Sequence, residues 1–291
     1  MKSAIVSIIG RPSSGKSTLL NALCDAKIAI TAPSPQTTRN SIRGILTEEQ
    51  GQLIFIDTPG YHISEKKLNQ RLTLIAESAL PESDLILYVI DASKTTGAEE
   101  DAILSLLRTI QRPCIAAVNK MDLPGSSFDR VRDFLSYNPN ITTIIPVSAL
   151  TRKGLEDLKQ SLYTLSPEGE MLYPKEFYTD QPPEFRVAEI IREKVINRVS
   201  QELPHSVYVD IVDMELDKKQ DKLWIRAFII VERNSQVGII VGKKGTGIQA
   251  IRKSSQKEIK QLFPYAVYLD LRVKTQVKWR KNSSILKRLI Y

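Results

Sequence analysis

Along its first 165 residues the chain alternates short apolar runs with stretches in which apolar residues return every three or four positions. The runs Ser3–Ile9, Arg43–Thr47, Leu53–Asp57, Leu85–Asp91, Ile115–Asn119 and Thr142–Val147 predict strands. Their near-continuous apolar, often β-branched character suits strands buried on both faces of a sheet. Helical spacing at Lys16–Leu23, Lys66–Leu80, Ala98–Thr109, Phe128–Tyr137 and Leu155–Leu165 predicts the helices between them. This alternation predicts an α/β fold with a doubly wound sheet, which binds ligands just beyond the carboxyl ends of its strands.

The pattern breaks at Ser166-Pro167-Glu168-Gly169 and stays aperiodic through Pro183. A different pattern follows. A long helix is expected over Glu184–Gln201, then alternating strands at Ser206–Leu216 and Leu223–Glu232. After Val237–Val241 come Gly242-Lys243-Lys244-Gly245, an amphipathic stretch Gly247–Leu262, a strand Val267–Val273 and a short terminal helix. The expected organisation is a domain over 1–166, a linker over 167–183 and a smaller α+β domain over 184–291. No internal repeat or low-complexity tract interrupts it.

Composition changes this picture in one respect. The 42% hydrophobic and 25% charged content are ordinary for a globular chain. No apolar run nears the roughly 18 residues of a membrane span, and the N-terminus enters a strand without a signal region. Cys24 and Cys114 form no C-x-x-C pair, so buried, reduced thiols are expected. The charge, however, is lopsided. Residues 1–165 carry 18 Lys and Arg against 17 acidic residues, whereas from Arg233 onward the count is 14 against 2. A terminal fifth this basic implies a polyanionic partner, either nucleic acid or an acidic membrane surface.

Four short segments give the first domain its chemistry. Gly10-Arg11-Pro12-Ser13-Ser14-Gly15-Lys16-Ser17 fits G-x-x-x-x-G-K-[ST], in which backbone amides and a helix N-terminus cradle phosphates. Lys16 is expected on the β- and γ-phosphates and the Ser17 hydroxyl on Mg²⁺. That segment alone implies only a nucleoside triphosphatase. Asn119-Lys120-Met121-Asp122 narrows the base to guanine, because the Asp122 carboxylate can accept hydrogen bonds from the guanine N1–H and 2-amino group. Adenine lacks that donor pair and would leave a carboxylate unpaired, at roughly 1–3 kcal/mol. Asp57-Thr58-Pro59-Gly60 and Ser148-Ala149-Leu150 follow in order and at G-domain spacing, so GTP and GDP are the expected ligands.

In the second domain, Gly242-Lys243-Lys244-Gly245 sits where a KH module carries its GXXG loop, which clamps about four nucleotides of a single strand. Glycines let the backbone approach phosphates, and the two lysines supply charge and donors. Ile239, Ile240 and Ile248 are expected to line the apolar groove on which bases lie.

A G domain followed by such a module resembles the Era family of bacterial GTPases. The resemblance is carried by Pro35-Gln36-Thr37-Thr38-Arg39, Thr179-Asp180-Gln181-Pro182, Ala188-Glu189-Ile190-Ile191-Arg192-Glu193-Lys194, Glu202-Leu203-Pro204-His205-Ser206-Val207, the Gly-Lys-Lys-Gly loop and Val277-Lys278-Trp279-Arg280. It implies a cytoplasmic, slowly hydrolysing GTPase that binds the 3′ end of small-subunit ribosomal RNA and assists assembly of the 30S subunit. Some members also associate with the inner membrane surface. A monomer is expected.

The resemblance also implies residue roles. The amides of Ser13 to Thr18 would surround the β-phosphate. Mg²⁺ would take Ser17 and one threonine of the effector loop directly, Thr38 over Thr37 by the family's placement, and Asp57 through a water. The Gly60 amide would meet the γ-phosphate, which makes Lys16, Thr38, Asp57 and Gly60 the expected catalytic set. Asn119 and Asp122 would read guanine, Lys120 would pack along the base, and the Ala149 amide would touch the guanine oxygen. Tyr61 replaces the water-orienting Gln of Ras-type enzymes and is expected to point away, and His62 is expected as solvated surface. The chain departs from the family at Ser13 and Ser14, where Asn and Val are usual, which puts potassium stimulation in doubt. Two alternatives remain: a membrane-associated regulatory GTPase using Ile285–Tyr291 against anionic lipid, and a non-hydrolysing, GTP-dependent assembly scaffold.

Overall fold

Ile42–Glu48 (β2) and Gly51–Asp57 (β3) are separated by only two residues. Parallel pairing needs a crossover of a dozen or more residues, so these two must run antiparallel, and they do. The other strands of the sheet are Lys2–Ile9 (β1), Leu85–Asp91 (β4), Cys114–Asn119 (β5) and Ile141–Pro146 (β6). The sheet order is β2-β3-β1-β4-β5-β6, and every pair but β2–β3 is parallel. The helices are Lys16–Leu23 (α1), Lys67–Ala79 (α2), Ala98–Thr109 (α3), Phe128–Leu135 (α4) and Leu155–Leu165 (α5). β3, β4 and β5 are buried along their whole length, as their apolar runs require. This computed structural model describes residues 1–32, 37–64, 67–199, 203 and 206–289, apart from the side chains of residues 287 and 288. Pro35, Gln36, Glu202, Pro204 and His205 of the resemblance, the expected first residue of α2, Lys66, and the terminal Ile290 and Tyr291 lie outside the described residues.

Every strand that carries a motif ends at it. Gly10 follows β1, Asp57 and Asn119 are the last residues of β3 and β5, and Ser148 lies two residues beyond β6. The register sets Ile8 beside Asp57 and Asp91 beside Asn119, so these ends share one edge of the sheet. Both thiols are buried, and desolvation pushes each up to about 12, which leaves them inert near neutral pH.

The chain divides into two compact units, the first ending at Asp180 and the second running from Gln181 to Leu289. Residues 167–180, read from sequence as part of a linker, are tied to the first unit. Ser3 N–H donates to Pro167 O and Gly169 N–H to Met1 O. The buried Gln52 side chain accepts from the Leu172 and Tyr173 amides and donates to Tyr173 O. Ile45 N–H donates to Tyr178 O, and Arg43 pairs with Asp180 at 3.0 Å. An aperiodic sequence conceals such a strap, because backbone bonds hold it rather than apolar side chains.

The second unit contains Pro183–Ile196 (α6), Tyr208–Asp217 (β7), Lys222–Val231 (β8), Asn234–Val241 (α7), Thr246–Leu262 (α8), Ala266–Thr275 (β9) and Ser283–Leu289 (α9). Its sheet is ordered β7-β8-β9, with β7 antiparallel and β9 parallel to β8. Pro183 opens α6 at its first position, where a missing N–H costs nothing. The helix ends at Ile196, five residues short of the expected Gln201. Ile190, Ile191 and Val195 of α6 and Ile251 and Ile259 of α8 pack on the inner face of the sheet, against Ile225, Ala227 and Leu269. Trp279 is buried and donates from Nε1 to Ser206 O at 2.9 Å.

The α9 geometry bears on the membrane alternative. Leu286 is buried, and Ile285 and Leu289 are half-buried, so among the described residues α9 turns its apolar side inward. The described residues of α9 thus offer no exposed large apolar face for that alternative, whose Ile290 and Tyr291 lie outside them. No helix among the described residues is long and apolar enough to cross a membrane.

Candidate functional site

The phosphate loop bends from β1 into α1 through two left-handed residues, Ser13 (φ 63°) and Gly15 (φ 97°). Gly15 has a second constraint: a Cβ there would lie 2.3 Å from Asn119 Nδ2. Gly60 is equally confined, since its Cβ would come within 2.7 Å of Pro12 backbone atoms. The loop after β3 therefore lies directly against the phosphate loop, and Tyr61 N–H donates to Gly10 O.

Lys16 is buried, and its Nζ donates to Gly10 O at 3.0 Å and Arg11 O at 3.1 Å. Burial lowers its pKa to about 8, against the pull of Asp57 and Glu99. Beside it, Ser17 Oγ donates to Asp57 Oδ2 at 2.6 Å and lies 2.7 Å from Thr38 Oγ1. Thr38 Oγ1 is in turn 3.3 Å from the same Asp57 oxygen. Residues 17, 38 and 57 are thus brought together from α1, the loop before β2 and the end of β3. Burial drives the Asp57 pKa upward, opposed by Lys16 and the two hydroxyls. Asp57 Oδ1 is buried without a hydrogen-bond partner. Two hydroxyls and a carboxylate with one unsatisfied buried oxygen are hard oxygen donors, and they fit Mg²⁺.

At the far end of the pocket the arrangement differs in part from expectation. Asn119 was expected to read guanine, but both ends of its amide are spent on protein. Nδ2 donates to Ser14 O at 2.9 Å, and Oδ1 accepts from Ala149 N–H at 3.0 Å. Asn119 is a tie between the phosphate loop and the Ser-Ala-Leu loop, and the Ala149 amide expected on the guanine oxygen is held by it. Lys120 Nζ likewise bridges Ser13 O and Asp91 Oδ2, both at 2.7 Å. Asp122 remains open to solvent, oriented by a 2.5 Å bond from Ser148 Oγ. Of the base-reading group, its carboxylate is the side chain free to meet a base.

The remaining motif residues are structural or peripheral. Thr58 is buried and donates to Ile8 O, Met121 packs against the β4–α3 core, and Leu150 is exposed. Tyr61 packs its ring against that same core. His62 departs from the expected solvated surface, for its Nδ1 pairs with Glu99 Oε1.

Sequence reasoning missed three carboxylates. Glu100 is buried and pairs with Arg11 of the phosphate loop at 2.8 Å, and Glu99 lies 3.5 Å from the same guanidinium. Glu100 at the third position of α3 was a readable signal for a helix start, because its carboxylate accepts from the N-cap Gly97 N–H. Asp91 closes β4 at the ligand edge. Burial opposes its charge, but hydrogen bonds from Lys120 and Ser93 prevail and hold it below the usual carboxylate range.

In the second unit, Gly242 to Gly245 connect α7 to α8 through a single 3₁₀ turn, with positive φ at Gly242, Lys244 and Gly245. Lys243 and Lys244 are exposed at its tip. The expected apolar groove divides. Ile239 is exposed and Ile248 half-buried, but Ile240 is 1% exposed and belongs to the core. On α7, adjacent residues point about 100° apart, so Ile239 and Ile240 cannot share a face.

Comparison with known proteins agrees with this geometry. Residues 5–120 match the family described as 50S ribosome-binding GTPase, and residues 202–280 match the KH domain family. The chain is 46% identical over 294 residues to GTPase Era of Treponema denticola, covering all of both chains. It is 44% identical over 291 residues to GTPase Era of Borreliella burgdorferi, again in full. Among solved structures it is similar to an Aquifex aeolicus Era variant bound to GDP·AlF4⁻, with TM-score 0.95, 34% identity and coverage of 100% of this chain and 99% of the other. It is equally similar to Era in complex with MgGDPNP and nucleotides 1506–1542 of 16S ribosomal RNA, with TM-score 0.95, 34% identity and coverage of 100% and 98%.

Proposed function

The chain belongs to the Era family of GTPases, and we propose that it binds and hydrolyses GTP in its first domain while its second domain holds the 3′ end of small-subunit ribosomal RNA, so assisting assembly of that subunit. The first domain is the unit that ends at Asp180 and the second the unit from Gln181 to Leu289. The observation that carries this reading is the convergence of Lys16, Ser17, Thr38 and Asp57 at one end of a pocket whose other end presents the Asp122 carboxylate. The relative solved with MgGDPNP and 16S ribosomal RNA supports both halves of it.

The phosphate-loop amides and the α1 N-terminus receive the β-phosphate. The Lys16 amine leaves the Gly10 and Arg11 carbonyls for the β- and γ-oxygens. Ser17 and Thr38 exchange their bonds to Asp57 for Mg²⁺, and Asp57 is held behind them. When bound, Mg²⁺ neutralises charge on the β- and γ-phosphates. The Gly60 amide, pressed against Pro12, reaches the γ-phosphate. Asp122 accepts from the guanine N1–H and 2-amino group, and Asn119 fixes the two loops that frame the base. Transfer of the γ-phosphoryl to water rests on this positioning and charge neutralisation. Tyr61 packs in the core and cannot orient the water as a Gln does, so intrinsic turnover is slow and rises when a partner completes the site.

Lys243 and Lys244 meet RNA phosphates while Ile239 and Ile248 meet bases. Such a protein works in the cytoplasm, on the small subunit. Single-turnover GTP hydrolysis with and without a 16S 3′-end RNA fragment tests the reading. Hydrolysis accelerated by the RNA supports it. GTP bound but never cleaved, under either condition, replaces the enzyme with a scaffold.

A further inference from the structure

The outer face of the β7-β8-β9 sheet carries a stack that packing does not require. Trp224 on β8 and Tyr268 on β9 are register partners, with rings 5.9 Å apart and 11° from parallel. Lys222 Nζ lies 5.1 Å from the Tyr268 centroid, and Arg226 Cζ lies 4.7 Å from that of Trp224. Lys222, Tyr268, Trp224 and Arg226 therefore line up as cation, ring, ring, cation. Asp270 locks the end of the stack, 3.1 Å from Arg226. Next to it runs an acidic strand. Asp213 and Glu215 of β7 lie opposite Arg226 and Trp224, and among the described residues neither has an ion pair. β7 is an edge strand, with a register break after Ile211.

A bulge and charges suffice to protect an edge from pairing. They do not explain a preorganised Trp–Tyr–Arg cluster on the same face, the residue types that dominate protein interfaces. RNA suits this face poorly. Each ring already has a cation over it and the other ring beside it, which leaves no free pair of π-faces for a base. The β7 carboxylates repel phosphate. In a unit whose last 59 residues carry a net +12, this acidic row is the local exception.

We propose that the outer sheet face is a protein-docking surface for a basic segment of a small-subunit protein, whose lysines and arginines pair with Asp213 and Glu215 while its apolar side chains meet the edges of Trp224 and Tyr268. This rests on the assembly role above, and it separates the protein-binding face from the RNA-binding loop. The test uses the full chain and two surface variants, Trp224→Ala with Tyr268→Ala, and Asp213→Lys with Glu215→Lys. Each is titrated against purified small ribosomal subunits and against the protein-free 16S 3′-end fragment. A photocrosslinking residue at position 268 identifies what is touched. The expected result is binding to subunits weakened about tenfold or more in both variants, RNA-fragment binding within about twofold of wild type, and a protease-sensitive, nuclease-resistant crosslink. Retained RNA binding also certifies that the variants fold. Equal losses on subunit and bare RNA, or a nuclease-sensitive crosslink, would make the face an RNA surface. Unchanged binding to both would leave it a solvated sheet. If the wild-type chain binds neither RNA nor subunits, the function proposed above fails first, by a result that needs no variant.

Discussion

Raising the pH from 7 to 9 should weaken GTP binding through one side chain. The Lys16 amine is buried against two carbonyls, and burial lowers its pKa to about 8. Arriving phosphates supply the negative charge the site lacks and return that pKa toward or above its ordinary value. Linkage then fixes the signs. At pH 7 only about one-tenth of the free protein lacks the proton, so binding takes up about 0.1 proton; at pH 9 it takes up about 0.9. The dissociation constant should be nearly flat below pH 7 and rise about tenfold between pH 7 and 9. Isothermal titration calorimetry in two buffers of different ionisation enthalpy reads the uptake directly. Asp57, whose pKa burial raises, can only release a proton on metal binding. That release strengthens binding as pH rises, so it opposes the Lys16 effect on the dissociation constant and fades toward high pH. Lys16→Arg is the control: its guanidinium does not titrate in this range, and its uptake should not change. The ligand-free protein gains the opposite dependence. Lys16 carries fewer protons folded than unfolded between about pH 8 and 10.5, so its contribution to stability rises there by about 1.4 kcal/mol per pH unit. Equal proton uptake at pH 7 and 9 would refute the buried-amine argument.

The parts of this protein that sequence reveals are those whose physics is local. β4 and β5 are buried over their full length because both faces are covered, and each ends on a polar residue at the edge of the sheet where the motifs lie, Asp91 or Asn119. The phosphate loop is legible because its glycines are demanded by backbone conformation and close approach, constraints few other residues meet. Asp122 is legible because a base edge dictates its chemistry. What was not legible depends on partners remote in sequence. Nothing near Asn119 says that its amide will be consumed by Ser14 and Ala149, residues 105 and 30 positions away. Glu100 is legible as the residue that caps α3, but its partner Arg11 is not, being 89 positions away.

The second unit divides the same way. Helical periodicity separates α7 from α8, but a run of apolar residues does not say which one faces inward. Ile239-Ile240 reads as one groove, yet the 1% exposure of Ile240 gives it to the core. The strap at 167–180 has no period because it has no apolar face to bury. Its order comes from backbone groups and the buried amide of Gln52, a residue that looks like ordinary strand surface.

Asp122→Asn should shift preference from guanine toward xanthine, whose position 2 offers a carbonyl to the new amide; equal loss of GTP and XTP in nucleotide-binding assays would remove the base contact. Asn119→Ala should behave differently, weakening both nucleotides alike and lowering stability by about 1–3 kcal/mol in a urea titration, since it strands the buried Ser14 carbonyl and Ala149 amide. Thr38→Ala should slow single-turnover hydrolysis and raise the Mg²⁺ concentration needed for it, while GDP affinity, measured without Mg²⁺, stays within about twofold because GDP lacks the γ-phosphate. Two double changes probe the Gly-Lys-Lys-Gly loop. Gly242→Asp with Gly245→Asp should cripple RNA binding, as each change adds negative charge where phosphates approach and each glycine has φ above 70°. Lys243→Ala with Lys244→Ala removes only exposed charge. It should weaken matched and scrambled single strands equally and flatten the logarithmic salt dependence by about 0.7 for each phosphate no longer neutralised. With Ile239 and Ile248, not the loop tip, proposed to meet the bases, preference for the matched strand should survive. Titrations of both strands at several salt concentrations decide it: an unchanged slope would take the loop off the phosphate path, and vanished discrimination with the slope intact would move base reading onto the lysines.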